Sequence, residues 1–192
     1  MKSSQAGRPR TKPPEERQED ILRSAERVFL LKGVEQATIE DITRGADLSK
    51  GAFYLHFSSK ADVVEAMRGR FVQDLLDRIR SDMDGRPEGD WRGRLSAWAR
   101  ACATGYLGAS VLHNLIFSAA PAPSREDLTR NGLIDQLTEL LEAGNRASAW
   151  SVEAPSFTAS FIFNALHGAV GQPGPDNDLL DQLDDHFQRL VR

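Results

Sequence analysis

The sequence predicts an all-α protein of about nine helices. Three features predict it. Apolar residues recur three and four positions apart in one segment after another, and no stretch alternates apolar with polar residues as a half-buried strand does. Breaks rich in Gly and Pro ("DGRPEGD", "APAPS", "QPGPDND") separate the periodic segments. At 192 residues, 40% hydrophobic and 27% charged, the chain can bury a sizeable core, either as one domain or as a small domain joined to a larger one.

Each element follows from its residues. Residues 1–14 carry Lys2, Arg8, Arg10 and Lys12 with no acid, among Gly and Pro, and read as a flexible basic arm. From Glu15, Ile21, Leu22, Ala25, Val28 and Phe29 form a helical stripe that Gly33 ends. Thr38 opens a short second helix, with Asp41 completing a capping-box-like signal and Ile39, Ile42 and Ala46 on one side. Asp47 and Leu48 make a tight connection, Ser49 caps a third helix, and Ser59 with Asp62 starts a long fourth helix striped by Val64, Met67, Phe71, Leu75, Ile79 and Met83.

A fifth helix aligns Trp91, Leu95, Trp98, Cys102 and Tyr106, and beyond Gly108 the stripe shifts to Val111, Leu112, Leu115 and Ile116. Ser124 is the expected cap of a seventh helix carrying Leu133, Leu137, Leu140 and Leu141, which closes near Gly144. The eighth, "PSFTASFIFNALHGAVG", is apolar nearly all round and should be buried on more than one side. Leu179, Leu183, Phe187 and Leu190 stripe the last helix.

Composition narrows the function classes. No apolar run approaches the ~20 residues of a membrane span and the N-terminus lacks an apolar signal segment, so no membrane partner and a cytoplasmic location are expected. The lone Cys102 excludes an internal disulfide framework and a multi-cysteine zinc site. His113, His167 and Cys102 lie far apart in no nucleophile or ligand spacing, so neither an enzyme, nor a metal, nor a cofactor is expected. The net charge of -4 hides an asymmetry: residues 1–60 carry 11 Lys+Arg against 9 Asp+Glu, and residues 61–192 carry 13 against 19.

The third helix carries a further signal. Steps of ~100° place Ala52, Phe53, His56 and Phe57 on one arc and Lys50, Gly51, Tyr54 and Leu55 on the other. The second arc is poorly suited to water alone and well suited to a DNA major groove. Lys50 can reach guanine or phosphate, Gly51 lets backbone come close, Tyr54 can hydrogen-bond phosphate, and Leu55 can touch a thymine methyl. Two short helices joined by a tight turn make a helix-turn-helix.

The stretch "TIEDITRGADLSKGAFYLHFSSK", Thr38 to Lys60, resembles the DNA-binding signature of the tetracycline-repressor (TetR) family of transcriptional regulators. Its matching parts are "T-I-x-D-I", "S-K-G-A-F-Y-x-H-F" and the Lys three residues later. Asp47 departs from the family's usual Gly, but Asp tolerates left-handed backbone better than most residues. The resemblance implies a helix-turn-helix domain over residues 15–60 and a larger effector-binding and dimerisation domain over 61–192. It implies that Thr38 holds a phosphate, that Ser49, Lys50, Gly51 and Leu55 sit at the groove, and that Tyr54, His56 and Lys60 grip the backbone. Arg44 is a further candidate.

The resemblance also implies a homodimer on a palindromic double-stranded operator, with half-sites roughly 34–36 Å apart, and a small-molecule effector that releases a repressor. The small residues Ala159, Ala165, Gly168 and Ala169, with Leu179, Leu183 and Phe187 of the last helix, form the expected dimer surface. The expected pocket, mostly apolar, draws on Met67, Phe71, Trp98, Cys102, Tyr106, Phe117, Leu137, Leu141, Phe161 and Asn164. A DNA-binding dimer without an effector is the alternative, and a helical enzyme a remoter one.

Overall fold

The computed structural model describes residues 13–108, 110–118, 131–170 and 177–191. The basic residues of the arm, Lys2, Arg8, Arg10 and Lys12, lie outside them, as does Ser124. Among the described residues there are nine α-helices and no strand, and no helix is long and apolar enough to cross a membrane. The chain divides into two compact units, Met1–Met67 and Arg68–Arg192.

In the first unit, α1 (Pro14–Gln36) starts with Pro at its first position and Glu15 and Glu16 in the first turn, which suits the positive end of a helix dipole. Ile21, Leu22, Ala25 and Phe29 are buried along it. Gly33 interrupts the helix with φ 76° and ψ 161°, so regular helix stops where the glycine predicts and a single further turn follows. In α2 (Ile39–Gly45), the Thr38 hydroxyl accepts from the Asp41 amide at 3.1 Å, and the Asp41 carboxylate accepts from the Thr38 amide at 3.2 Å, completing the capping box. Buried Ser24 donates to the Ile42 carbonyl at 2.7 Å, locking α1 onto α2. The helices approach so closely that a Cβ on Gly45 would stand 2.3 Å from the Ser24 oxygen.

Asp47 carries the turn at φ 54°, in the left-handed region that its side chain tolerates. Next, α3 (Lys50–Tyr54) is capped by Ser49, whose hydroxyl accepts from the Ala52 amide at 3.1 Å. Ser59 accepts from the Asp62 amide at 3.1 Å and starts α4 (Lys60–Asp84), whose buried Val63, Val64 and Met67 belong to the first unit.

The second unit contains the rest of α4 with α5 (Trp91–Gly108), α6 (Ser110–Ser118), α7 (Gly132–Arg146), α8 (Pro155–Val170) and α9 (Asn177–Leu190). Its core gathers Leu75, Ile79, Leu95, Trp98, Cys102, Leu137, Leu141, Ile162 and Phe187. Asn131 rather than Ser124 caps α7, accepting from the Leu133 amide at 2.9 Å; an Asx side chain directly before the helix does the work assigned to a more distant Ser. After α7 the chain folds back so that Trp150 lies over Gly144, where a Cβ would stand 2.1 Å from the ring, and its indole donates to the Leu141 carbonyl at 2.8 Å. Asn145 exchanges two 2.8 Å hydrogen bonds with the backbone of Val152, pinning the return. Ser96 of α5 donates to Asp184 of α9 at 2.8 Å, and Gln188 donates to the Arg92 carbonyl at 2.9 Å. Burial of α8 within the chain is one-sided: Ala159, Ile162, Leu166 and Val170 face inward, while Phe157 is 72% and Phe161 54% exposed.

Candidate nucleic-acid interface

The helix α3 divides as its residues dictate. Phe53 and Phe57 are buried with their rings tilted against each other at 5.9 Å, which anchors five residues of helix that could not persist alone. Lys50 and Gly51 are exposed, Tyr54 is 55% and Leu55 83% exposed, and Ala52 and His56 are half-buried at the edges. A Cβ on Gly51 would meet only the Ser49 hydroxyl, at 3.8 Å, an ordinary contact. The fold itself therefore places no demand for glycine there. Tyr54 braces its ring edge-on against Phe53 at 5.5 Å while more than half of the residue stays exposed.

Charged groups on α2 extend this face. Arg44 is exposed and lies 3.5 Å from Glu40 and 3.9 Å from Asp41. Glu40 also reaches Lys50 at 3.0 Å, an ion pair spanning the turn between the two helices. The hydrogen bond from Lys50 holds the Glu40 carboxyl below its ordinary range, with the Lys50 and Arg44 charges adding to it. Lys32 donates to Asp41 at 2.8 Å, and that bond, followed by those from Thr38, lowers the Asp41 carboxyl to about 2.

Two expected phosphate ligands are engaged elsewhere. Lys60 donates to the carbonyls of Val34 at 2.5 Å, Glu35 at 3.0 Å and Ala37 at 2.8 Å, so all three ammonium hydrogens are spent on the segment after Gly33. These bonds tie the chain leaving α1 to the start of α4. The Thr38 hydroxyl proton goes to Asp41 at 2.8 Å inside the capping box. The Lys60 arrangement is not readable from helical spacing, and neither is the Glu40–Lys50 pair.

The expected effector residues separate into three groups. Phe71, Tyr106 and Phe117 join a ring cluster with His113, Phe163 and His167, three residues that the pocket expectation lacked. His113 stacks on Phe117 at 4.3 Å and tilts against Tyr106 at 4.4 Å, and His167 meets Tyr106 edge-on at 4.8 Å. The two imidazoles, distant in sequence, are 5.7 Å apart. Desolvation pushes both below the ordinary histidine range. Arg68 donates to the Ile116 carbonyl at 2.7 Å and lies over the Phe117 ring at 5.6 Å. Trp98, Cys102, Leu137 and Leu141 are fully packed core instead; burial pushes the Cys102 thiol up to about 12, which leaves it unreactive. Met67 belongs to the first unit. Phe161 and Asn164 face outward, with the Asn164 amide donating to the Ser160 carbonyl at 2.7 Å.

The expected dimer residues also divide. Ala159 at 0% and Phe187 at 2% exposure are inside their own chain's core and have no surface to offer a partner. Ala165, Ala169, Leu179 and Leu183 are half-buried and Gly168 is exposed. Phe157, Phe161, Asn164 and Gly168 form one outward stripe on α8, because residues four, seven and eleven apart share a helix face. Among the described residues no group of three His, Cys, Asp or Glu side chains is placed to hold a metal ion.

Residues 21–67 match the family described as bacterial regulatory proteins, tetR family. The HTH-type transcriptional repressor BepR of Brucella suis is 44% identical over 71 residues, which cover 35% of this chain and 34% of that protein. The HTH-type transcriptional activator FasR of Mycolicibacterium smegmatis is 35% identical over 89 residues, 46% of this chain and 40% of that protein. The chain thus spans about a third of the length of the first curated relative it matches. Likeness of fold runs much further. The fatty acid degradation regulator FadR of Bacillus halodurans superposes with a TM-score of 0.71 at 22% identity, covering 94% of this chain and 96% of that one. Residues 21–67 thus match the tetR family of bacterial regulatory proteins, and the described helices share the fold of the superposed regulator.

Proposed function

We propose that the protein is a sequence-specific regulator of transcription, a repressor that binds a palindromic DNA duplex as a homodimer and leaves it when a small ligand binds the second unit. One observation carries the DNA-binding part: Lys50, Gly51, Tyr54 and Leu55 all face outward on a helix pinned from behind by Phe53 and Phe57. The relatives' printed names, one a repressor and one an activator, support a regulator and leave the sign of regulation to experiment.

The exposed Phe157–Phe161 stripe supports dimerisation, since large apolar residues clustered on one helix face call for a cover. Gly168 lies on the same stripe, and a Cβ there would meet nothing within 4 Å, so Gly168→Arg leaves the protomer's own packing intact. The ring cluster supports the effector. Its rings touch one another at centroid distances of 4.3–6.0 Å, so an aromatic or largely apolar ligand enters by parting them. Phe71 of the cluster and Lys60 both belong to α4, and displacing that helix is the proposed link to the recognition unit. Couplings of about 1–3 kcal/mol weaken operator binding roughly 5- to 150-fold, and operator weakens ligand binding by the same factor.

Selection of duplexes from a random pool by the full chain tests the reading. A palindromic consensus, affinity falling steeply with salt, and Gly168→Arg sedimenting as a monomer with loss of binding are expected. Absence of any duplex preference over single strands would overturn the DNA-binding part. Gly168→Arg sedimenting as a dimer would move the interface off α8.

A further inference from the structure

We infer that Glu40 sets the specificity of DNA reading by holding the Lys50 ammonium away from phosphates and aiming it at base edges. The inference rests on the DNA-binding reading above. Three observations carry it. The Glu40 carboxylate lies 3.0 Å from the Lys50 Nζ, although the residues belong to different helices. Both side chains are nearly 60% exposed, so the pair lies on the surface and not in a core it could stabilise. Lys50 occupies the first position of the recognition helix, on the same outward arc as Gly51, Tyr54 and Leu55.

A lysine in that position has two fates on DNA. Against a random duplex it swings to the nearest phosphate and releases a condensed counterion, which adds affinity without sequence information. Against the right base pair it donates to guanine O6 and N7. An ammonium has three N–H donors, so Lys50 can keep one on Glu40 and still supply two to a guanine edge. It cannot serve a phosphate as a full cation while paired with a carboxylate, because the pair is neutral overall and Glu40 is itself repelled by the polyanion. Glu40 therefore lowers affinity for random DNA while pre-orienting the donor for the operator. The lowered Glu40 carboxyl keeps this charge in place throughout the ordinary pH range. Arg44, 3.5 Å from the other Glu40 oxygen, fixes the carboxylate from the opposite side.

The test compares the full-length protein with Glu40→Gln on its selected duplex and on a scrambled duplex of equal length and composition, as a function of salt. Gln keeps the size of the side chain and removes its charge. Scrambled-duplex affinity is expected to rise roughly eightfold at 0.1 M salt and its log–log salt slope to steepen by about 0.9, the signature of one added phosphate contact. The operator-to-scrambled ratio falls accordingly, with the operator slope nearly constant. In a Lys50→Gln background the same change should leave the ratio unaltered, since no ammonium remains to redirect. Parallel changes on both duplexes, or an equal effect with and without Lys50, would overturn the inference and reduce Glu40 to a repulsive surface charge. Failure of the wild-type chain to select any duplex would remove the DNA-binding reading itself.

Discussion

Replacing Lys60 with Met separates a residue that holds the fold from one that holds DNA. The ammonium donates to three carbonyls; the Val34 and Ala37 bonds are partly buried and the Glu35 bond is exposed. Hydrogen bonds from a charged donor contribute about 1.5–3 kcal/mol each, so the two sheltered bonds contribute about 3–6 kcal/mol and the exposed one little. Ordering the lysine costs about 2 kcal/mol of side-chain entropy, which leaves a net loss of roughly 1–4 kcal/mol in the variant. If the 192-residue chain melts as one unit, its Tm falls by about 2–16 °C. Thermal unfolding by circular dichroism measures this, and duplex titration below the melting range measures binding alongside. The salt slope should match wild type, because no phosphate contact is lost. Unchanged Tm with a slope shallower by about 0.9 would refute the reasoning and return Lys60 to the DNA backbone.

Other outcomes follow from the same geometry. Tyr54→Phe should weaken binding to all duplexes by about 0.5–1.5 kcal/mol, while Leu55→Ala, 83% exposed in the free chain, should relax preference at one base pair without loss of stability; fluorescence anisotropy on single-base variants of the selected duplex distinguishes the two. Because Asp41 is lowered from 3.8 to about 2, its stabilising contribution is present in full above about pH 4 and is lost as pH falls towards 2. Asp41→Asn should remove that segment of the acid transition, followed by NMR at Tyr54 in the same unit. Gly144→Ala, which in an open helix would gain up to ~1 kcal/mol, should instead cost about 1–3 kcal/mol, since its Cβ would stand 2.1 Å from Trp150; a melt shows which sign holds.

What the sequence made legible was local. The Thr38 and Ser49 caps, the break at Gly33 and the left-handed Asp47 each depend on a few neighbouring residues, and each stands in the structure as its residues predict. The two arcs of α3 were readable for the same reason, since a helix converts spacing into direction. Contacts between distant segments were not. Nothing in the order of residues brings Lys60 to the end of α1, Glu40 to Lys50 or His113 to His167. In α8 the apolar pattern shows the need for cover but not its source: the chain itself buries Ala159 and leaves Phe161 open.

The way α3 is held has a consequence for how such a protein changes over generations. Its folding is secured by Ser49, Phe53 and Phe57, whereas Lys50, Gly51 and Leu55 pack against little of the chain's interior and Tyr54 only against the edge of Phe53. On the proposed DNA-binding reading, mutations at those four positions are therefore nearly free of selection for stability and fall mostly on what is read. A duplicated copy can drift to a new DNA site one substitution at a time, each intermediate folding as well as its parent. On the proposed role of Glu40, its pair with Lys50 is the exception, because a change in either alters the other's task, and lineages that lose one should be found to have replaced both.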